Sequence, residues 1–115
     1  MICNGENPVL RIVDIARIGR INGSFSVAPR AYSALTFRIG GSSVITCGGK
    51  EYRINANDIL YLPQNLAYEA SYTDTEIIAI HFVAARDDRA PEVYTFENVE
   101  HAWTKLCYYY EYLGR

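Results

Sequence analysis

Over residues 9–83 the chain is a succession of short apolar or alternating runs, each closed by Gly, Asn or Pro before a helix of ordinary length is complete. That punctuation steers the chain toward short antiparallel strands. The clearest unit is "SVITCGGKEYRI", two strands about Gly48 and Gly49, a pair suited to a tight turn with positive φ. In "YSALTFRIGG", alternation sets Leu35, Phe37 and Ile39 on one face and Tyr32, Ala34, Thr36 and Arg38 on the other, and the run stops at Gly40 and Gly41. "VLRIVDIARI" admits a helix or a strand; its β-branched residues, and the breakers Pro8, Gly19, Asn22 and Gly23 around it, favour a strand. "YEASYTDTEIIAIHFV" predicts a further pair. Tyr68, Ala70 and Tyr72 share a face, residues 73–75 turn, and 77–83 run apolar on both faces except at His81.

Between these lies "NANDILYLPQNLAY", in which Ile59, Leu60, Tyr61 and Leu62 are too few for a helix and are closed by Pro63. Asn is one of the few non-glycine residues that accept positive φ, so the stretch reads as turn, buried strand, turn, new strand. Asp58, after the first turn, is placed to accept backbone N–H bonds. Strands at this spacing indicate an all-β antiparallel sandwich or barrel.

The pattern changes at "ARDDRAPE". Beyond it Val99, Trp103, Leu106, Tyr110 and Leu113 recur at helical spacing and form one apolar stripe, with Asn98 to cap its start and Gly114 its end. The expected organisation is one domain: a β-barrel over 1–84, a connection over 85–97 and an α-helix over 98–113. "CYYYEY" surrounds that helix with more aromatic surface than one face can bury, which marks it as an interface. The chain stops one residue past the cap, which suggests a piece of a longer protein.

At 115 residues the chain is long enough for a core without staples. A net charge of −2 and scattered arginines exclude a broad basic surface for nucleic acid. Cys3, Cys47 and Cys107 are too few and too far apart for a disulfide framework or a CxxC site, and they read as reduced thiols in a cytoplasmic protein. No stretch approaches a membrane span or a signal peptide.

Catalytic signatures are missing: no GxSxG, no GxxxxGK[ST], no GxGxxG and no HExxH. Two histidines cannot build a His-rich metal site. His81 reads either as a core histidine donating one ring N–H or as a ligand contact or general base, and the first is favoured because no acidic partner is visible beside it. The ten tyrosines are the compositional outlier, each a flat apolar body with one polar tip. Tyr32, Tyr61 and Tyr68 sit on strands able to line one cavity or to fill it.

The stretch at residues 55–68 resembles the second conserved motif of cupins, G-D-x-x-x-x-P-x-G-x-x-H, with Asn57, Asp58, Pro63, Asn65 and Tyr68 at its positions. Both glycines are replaced by Asn and the metal-binding histidine by Tyr. The end of the first cupin motif matches Gly40, which sets its acidic ligand position at Ser33 and its histidines at Val27 and Pro29, or at Ser26 and Ala28. All four metal ligands are thus absent, and no metal or other cofactor is expected. More specifically, "RAYSALTFRIGGSSVITCGGKEYRINANDILYLPQNLAYEA" followed by "IIAIHF" is similar to the N-terminal sensor domain of AraC-type transcription regulators. That resemblance implies a double-stranded β-helix, the jelly-roll barrel of cupins, binding a small-molecule effector such as a sugar or other metabolite. It also implies a homodimer through the following helix, with Val99, Trp103, Leu106, Tyr110 and Leu113 at the interface, and DNA contact only through helix-turn-helix units that this sequence lacks. Tyr32, Tyr61, Tyr68 and His81 are the expected pocket residues, with Arg30 and Arg38 available to an acidic ligand. The expectation is a sensor and not an enzyme; the alternative is a small metal-free cupin isomerase or epimerase using His81 and a tyrosine as acid and base.

Overall fold

The computed structural model describes residues 7–94, and all regular structure among them is β. Six strands, β1 (Val9–Val27), β2 (Ser33–Cys47), β3 (Lys50–Ile54), β4 (Ile59–Leu62), β5 (Tyr68–Ala84) and β6 (Glu92–Tyr94), join in one sheet. Its order is β1-β5-β2-β4-β6, with β3 also on β2, and each pairing is antiparallel. Strand β2 organises the sheet. One edge pairs with β5, while the other takes β4 along residues 34–37 and β3 along 43–47.

Three breaks expected from the sequence are not chain reversals. Strand β5 runs through residues 73–75, β2 through Gly40 and Gly41, and β1 through Gly19, Asn22 and Gly23. The reason is their alignment: Ser42 lies across from Thr73, Gly40 from Glu76, Ile21 from Thr75 and Gly23 from Tyr72. Each strand slips register where its neighbour does, between Arg38 and Ser42 on β2 and between Ile18 and Gly23 on β1, and the ladder then resumes. Bulges of this kind bend strands without ending them, so three adjacent strands fold over together at one level. Side chains stitch the level. The Asp74 N–H donates to Asn22 Oδ1 (2.9 Å), Asn22 Nδ2 returns a bond to Asp74 Oδ1 (3.2 Å), and the Thr75 hydroxyl donates to the Ser42 carbonyl (2.6 Å).

The bend also changes which residues face inward. On β2, Ala34 faces the interior before it and Ile45 after it; on β5, Tyr68 and Ala70 face inward before the bend and odd-numbered residues after it. The interior cluster joins both halves of the sheet through Ala34, Ile45, Ile54, Leu60, Leu62, Tyr68 and Ala70. A second cluster, including Val9, Leu35, Ile59, Tyr61, Phe82 and Tyr94, lies on the opposite face. Strand β4 carries both, so Ile59, Leu60, Tyr61 and Leu62 are all buried, as its unbroken apolar run predicts. Each such side chain is worth about 1.5–3 kcal/mol of apolar burial.

The tight turns form where the sequence places them. Gly48 (φ 59°) and Gly49 (φ 78°) close the β2–β3 hairpin, and Asn57 (φ 71°) and Asn65 (φ 61°) take the left-handed conformation in place of glycine. Around Asn57, Asp58 Oδ2 accepts the Asn55 N–H (2.9 Å), and the Asn57 N–H donates to the Arg38 carbonyl (2.8 Å). The stretch expected only to connect barrel and helix contains β6, which pairs Tyr94 with Ile59 and Glu92 with Tyr61. The expected helix over 98–113, with Val99, Trp103, Leu106, Tyr110 and Leu113, lies outside the described residues.

Gly41 (φ 73°) is where the bend depends on a missing side chain, because a Cβ there would fall on the carbonyl oxygens of Asp74 and Thr73. Gly40 has no atom near its virtual Cβ and no positive φ. Gly41→Ala should therefore destabilise the fold by about 2–4 kcal/mol in urea unfolding, and Gly40→Ala by less than about 1 kcal/mol. Equal effects of the two substitutions would show that the close approach at Gly41 does not hold the bend.

Candidate ligand site in the barrel interior

The site begins with Arg38, at 1% exposure the largest fully buried side chain among the described residues. It sits on the inward face of β2 just before the bend, so its guanidinium reaches across to the residues that face inward after it. Arg38 Nε and Nη2 donate to Ser43 Oγ (2.9 and 2.7 Å), and Nη1 donates to Thr36 Oγ1 (2.9 Å). Its hydrogen-bond acceptors are neutral. Burial pulls the guanidinium below its ordinary value, and the nearby Tyr72 and Tyr68 phenols push it the other way.

Tyr68 and Tyr72 alternate on the inward face of β5, and both phenols are raised, first by burial and against the pull of Arg30 and Arg38. Arg30, on the segment between β1 and β2, donates from Nη2 to the Tyr68 hydroxyl at 2.8 Å. Its guanidinium also lies over two rings, 5.0 Å from the centroid of Tyr32 and 5.8 Å from that of Tyr68, in cation–π range. Tyr32 in turn meets the His81 ring at 4.8 Å. His81 Nδ1 lies 2.6 Å from Asp14 Oδ1, a pairing made by the register that sets Asp14 of β1 across from His81 of β5. Arg38 and Tyr68 are buried at the floor, while Arg30, Tyr32, Tyr72 and His81 are half-buried and line the approach.

Five of the six expected pocket residues, Arg30, Tyr32, Arg38, Tyr68 and His81, are thus gathered on one side of the sheet. Tyr61 does not join them. It stands on the outward face of β4, wholly buried, stacked on Phe82 at 6.2 Å and donating its hydroxyl to Asp88 Oδ2 (2.7 Å). Ser33, aligned with the acidic ligand position, also faces away; its Oγ accepts the Gln64 N–H at 2.9 Å. The expectation that His81 lacks an acidic partner is corrected by Asp14, which is 67 residues away in sequence. Tyr72, Thr36 and Ser43 complete the site. Tyr72 carried a signal, its shared face with Tyr68; Asp14 and Ser43 carried none, because their placement depends on strand register.

A cupin fold raises the question of a metal, and the residues here do not fit one. The tyrosine at the motif's histidine position is hydrogen-bonded to a guanidinium, and a second guanidinium lies beneath it. Two fixed positive charges at that place repel a divalent cation. Among the described residues no group of three or more His, Cys, Asp or Glu side chains is arranged to hold a metal.

A separate concavity of about 310 Å³ opens on the outer face, lined by Ser24, Ser26, Thr46, Glu69 and Ser71 among others. Glu69 and Ser71 alternate with Tyr68, Ala70 and Tyr72 along β5, so this hollow and the tyrosine cluster are on opposite sides of the sheet. Its lining mixes exposed serine and threonine with Glu69 and the apolar Phe25, Val44 and Ala70. The interior differs in holding a desolvated guanidinium beside buried phenols.

Burial raises the phenols of Tyr61, Tyr68 and Tyr72 in the folded chain. A raised pKa favours the protonated folded form, so this stabilisation is complete below the ordinary phenol value of about 10 and is lost as pH rises through the folded values. Phenolate absorbance of the native protein should lag behind that of the chain in urea, and unfolding free energy should fall above about pH 10. Coincident titration curves would contradict the burial of these three rings.

No family model matches the chain, and no curated protein matches its sequence. A solved structure does: a protein of unknown function from Pseudomonas syringae pv. tomato str. DC3000, of the DUF861 family, superposes with a TM-score of 0.57 at 12% identity. The match covers 69% of this chain and 34% of that one, so this chain spans about a third of that protein's length. Such a likeness speaks to fold alone, and that family is of the cupin type. The described residues form a cupin-type jelly-roll β-fold.

Proposed function

We propose that this chain is a small-molecule-sensing domain of the kind that precedes the DNA-binding half of AraC-type regulators, with the effector held inside the barrel by Arg30, Tyr32, Arg38, Tyr68, Tyr72 and His81. The observation that carries this reading is the convergence of those side chains on the interior of a cupin fold, where the metal-ligand position is taken by a tyrosine bonded to arginine. A sensor must bind its effector with different affinity in two arrangements of the molecule. Strand β5 offers a direct route for that difference, because it carries Tyr68, Tyr72 and His81 on either side of the bend. The homodimer and the passage of the signal to DNA through a further domain belong to the same proposal and follow from the sequence resemblance.

One observation favours a second reading. The 2.6 Å contact of Asp14 with His81, and the Tyr32 ring beside that imidazole, make a positioned base next to a phenol, as a metal-free isomerase or epimerase requires.

The two separate in one experiment. A library of sugars, organic acids and amines is screened by thermal shift, where a compound at 100 times its Kd adds about 2.7 kcal/mol of stability. The sensor reading expects hits recovered chemically unchanged after long incubation, with the shift abolished by Tyr68→Ala and weakened by His81→Asn. Turnover of a hit that His81→Asn abolishes would replace the sensor with the enzyme. Hits unaffected by Tyr68→Ala would move the site out of the barrel.

A further inference from the structure

Among the described residues, the barrel interior holds two guanidinium groups with no carboxylate paired to either. Among the described residues, neither Arg30 nor Arg38 has an acidic side chain within ion-pair distance; the acids that do pair, Glu76 and Asp14, serve Arg17, Arg20 and His81. For Arg30, half-exposed, water can compensate. For Arg38, at 1% exposure, it cannot. A charge taken out of water is tolerated when it is paired and fully hydrogen-bonded; every nitrogen of Arg38 has a hydrogen-bond acceptor, but those acceptors are neutral. Of its five N–H groups, Nε and one each on Nη1 and Nη2 are occupied by the hydroxyls of Ser43 and Thr36. One N–H remains on each terminal nitrogen, available to a charged acceptor such as a carboxylate.

The surroundings describe the rest of the ligand. Tyr68 and Tyr72 stay protonated through burial, so they add hydrogen-bond donors and apolar ring surface without negative charge. Tyr32 and Phe25, the latter 5.9 Å from the Tyr72 ring, add to that surface. Resting on the reading of the barrel as a sensor site, we propose that its ligand is a small organic acid, its carboxylate taken by Arg38 with Arg30 above it and its flat apolar body lodged among Tyr32, Tyr68 and Tyr72. A neutral sugar leaves both charges unanswered. The anion supplies the missing counter-charge, and its binding is driven by a positive potential built into the floor of the barrel.

Matched probes test this: benzoate against benzamide, which share shape and differ in charge, with inorganic phosphate as an anion lacking an apolar body and glucose as a neutral polyol. Calorimetry and thermal shift on the full chain should show benzoate binding about tenfold or more tighter than benzamide, as charge-assisted hydrogen bonds require. Phosphate should bind more weakly than benzoate. Arg38→Met should lose the response to benzoate while its melting temperature without ligand stays level or rises, because a group held at a cost in stability for binding is often replaced without loss by an apolar one. Should Arg38→Met not fold, Arg30→Gln, at a half-exposed position, carries the test through a loss of benzoate affinity of about tenfold. Equal binding of benzoate and benzamide, or phosphate matching benzoate, overturns the organic-acid assignment. Glucose binding with no response to benzoate overturns it too but leaves the sensor reading standing. Failure of all four probes sinks the acid proposal, and the broader library then decides the fate of the sensor.

Discussion

The shared bend across β1, β2 and β5 is the constraint on which the rest of this molecule depends. Without it the three strands would lie in one flat ribbon, and nothing on one half of the sheet could pack against the other. Its placement rests on a close approach: Gly41 lets the β5 backbone at Thr73 and Asp74 come against β2, where any side chain would obstruct it. Asn22, Asp74 and Thr75 then fix the level with bonds across strands, and the bulges leave the ladders intact on either side. Because a bulge adds a residue to one strand, it also exchanges inward and outward faces. That exchange lets Arg38 before the bend meet Ser43 after it, and it sets Tyr68, Tyr72 and His81 of one strand on the same interior surface.

The interior so formed is not a plain hydrophobic plug. Its apolar part, around Leu60, Leu62, Ile45 and Ile54, stabilises the barrel, while the part nearer Arg38 holds groups that cost free energy to bury. Replacing a buried arginine by an apolar residue of similar volume is often neutral or stabilising. Among the described residues no carboxylate pairs with Arg38, so its charge is answered by neutral hydroxyls. The motif position that would hold a metal in a cupin illustrates the same change of chemistry. A phenol there, tied to Arg30, puts a guanidinium where a cupin would hold a cation.

Much of the fold was legible in the chain. Gly48 and Gly49, Asn57 and Asn65 all take positive φ where their identities predict it, because that preference is a steric property of a residue and its immediate neighbours. The burial of all four residues of β4 follows from an apolar run with no polar face. The alternation of Tyr68, Ala70 and Tyr72 is likewise local, and it made a tyrosine-lined interior readable in advance. Less legible was the meaning of the breaks at residues 19–23, 40–41 and 73–75. A glycine or an aspartate can end a strand or bulge it, and only the neighbour's register decides which.

What the sequence by itself determined, then, was the set of local conformations and faces: a β-rich chain, its tight turns, and a framework of cupin type with the metal-binding histidine exchanged for Tyr68. Tertiary structure decided which of those faces meet. It separated Tyr61 from Tyr68, though both are aromatic residues of consecutive strands, by turning one to each side of the sheet. It also brought Asp14 to His81 and Ser43 to Arg38. The physical reason is that local sterics act within a few residues, whereas the inward face of a long strand depends on its bulges and on the register of distant partners.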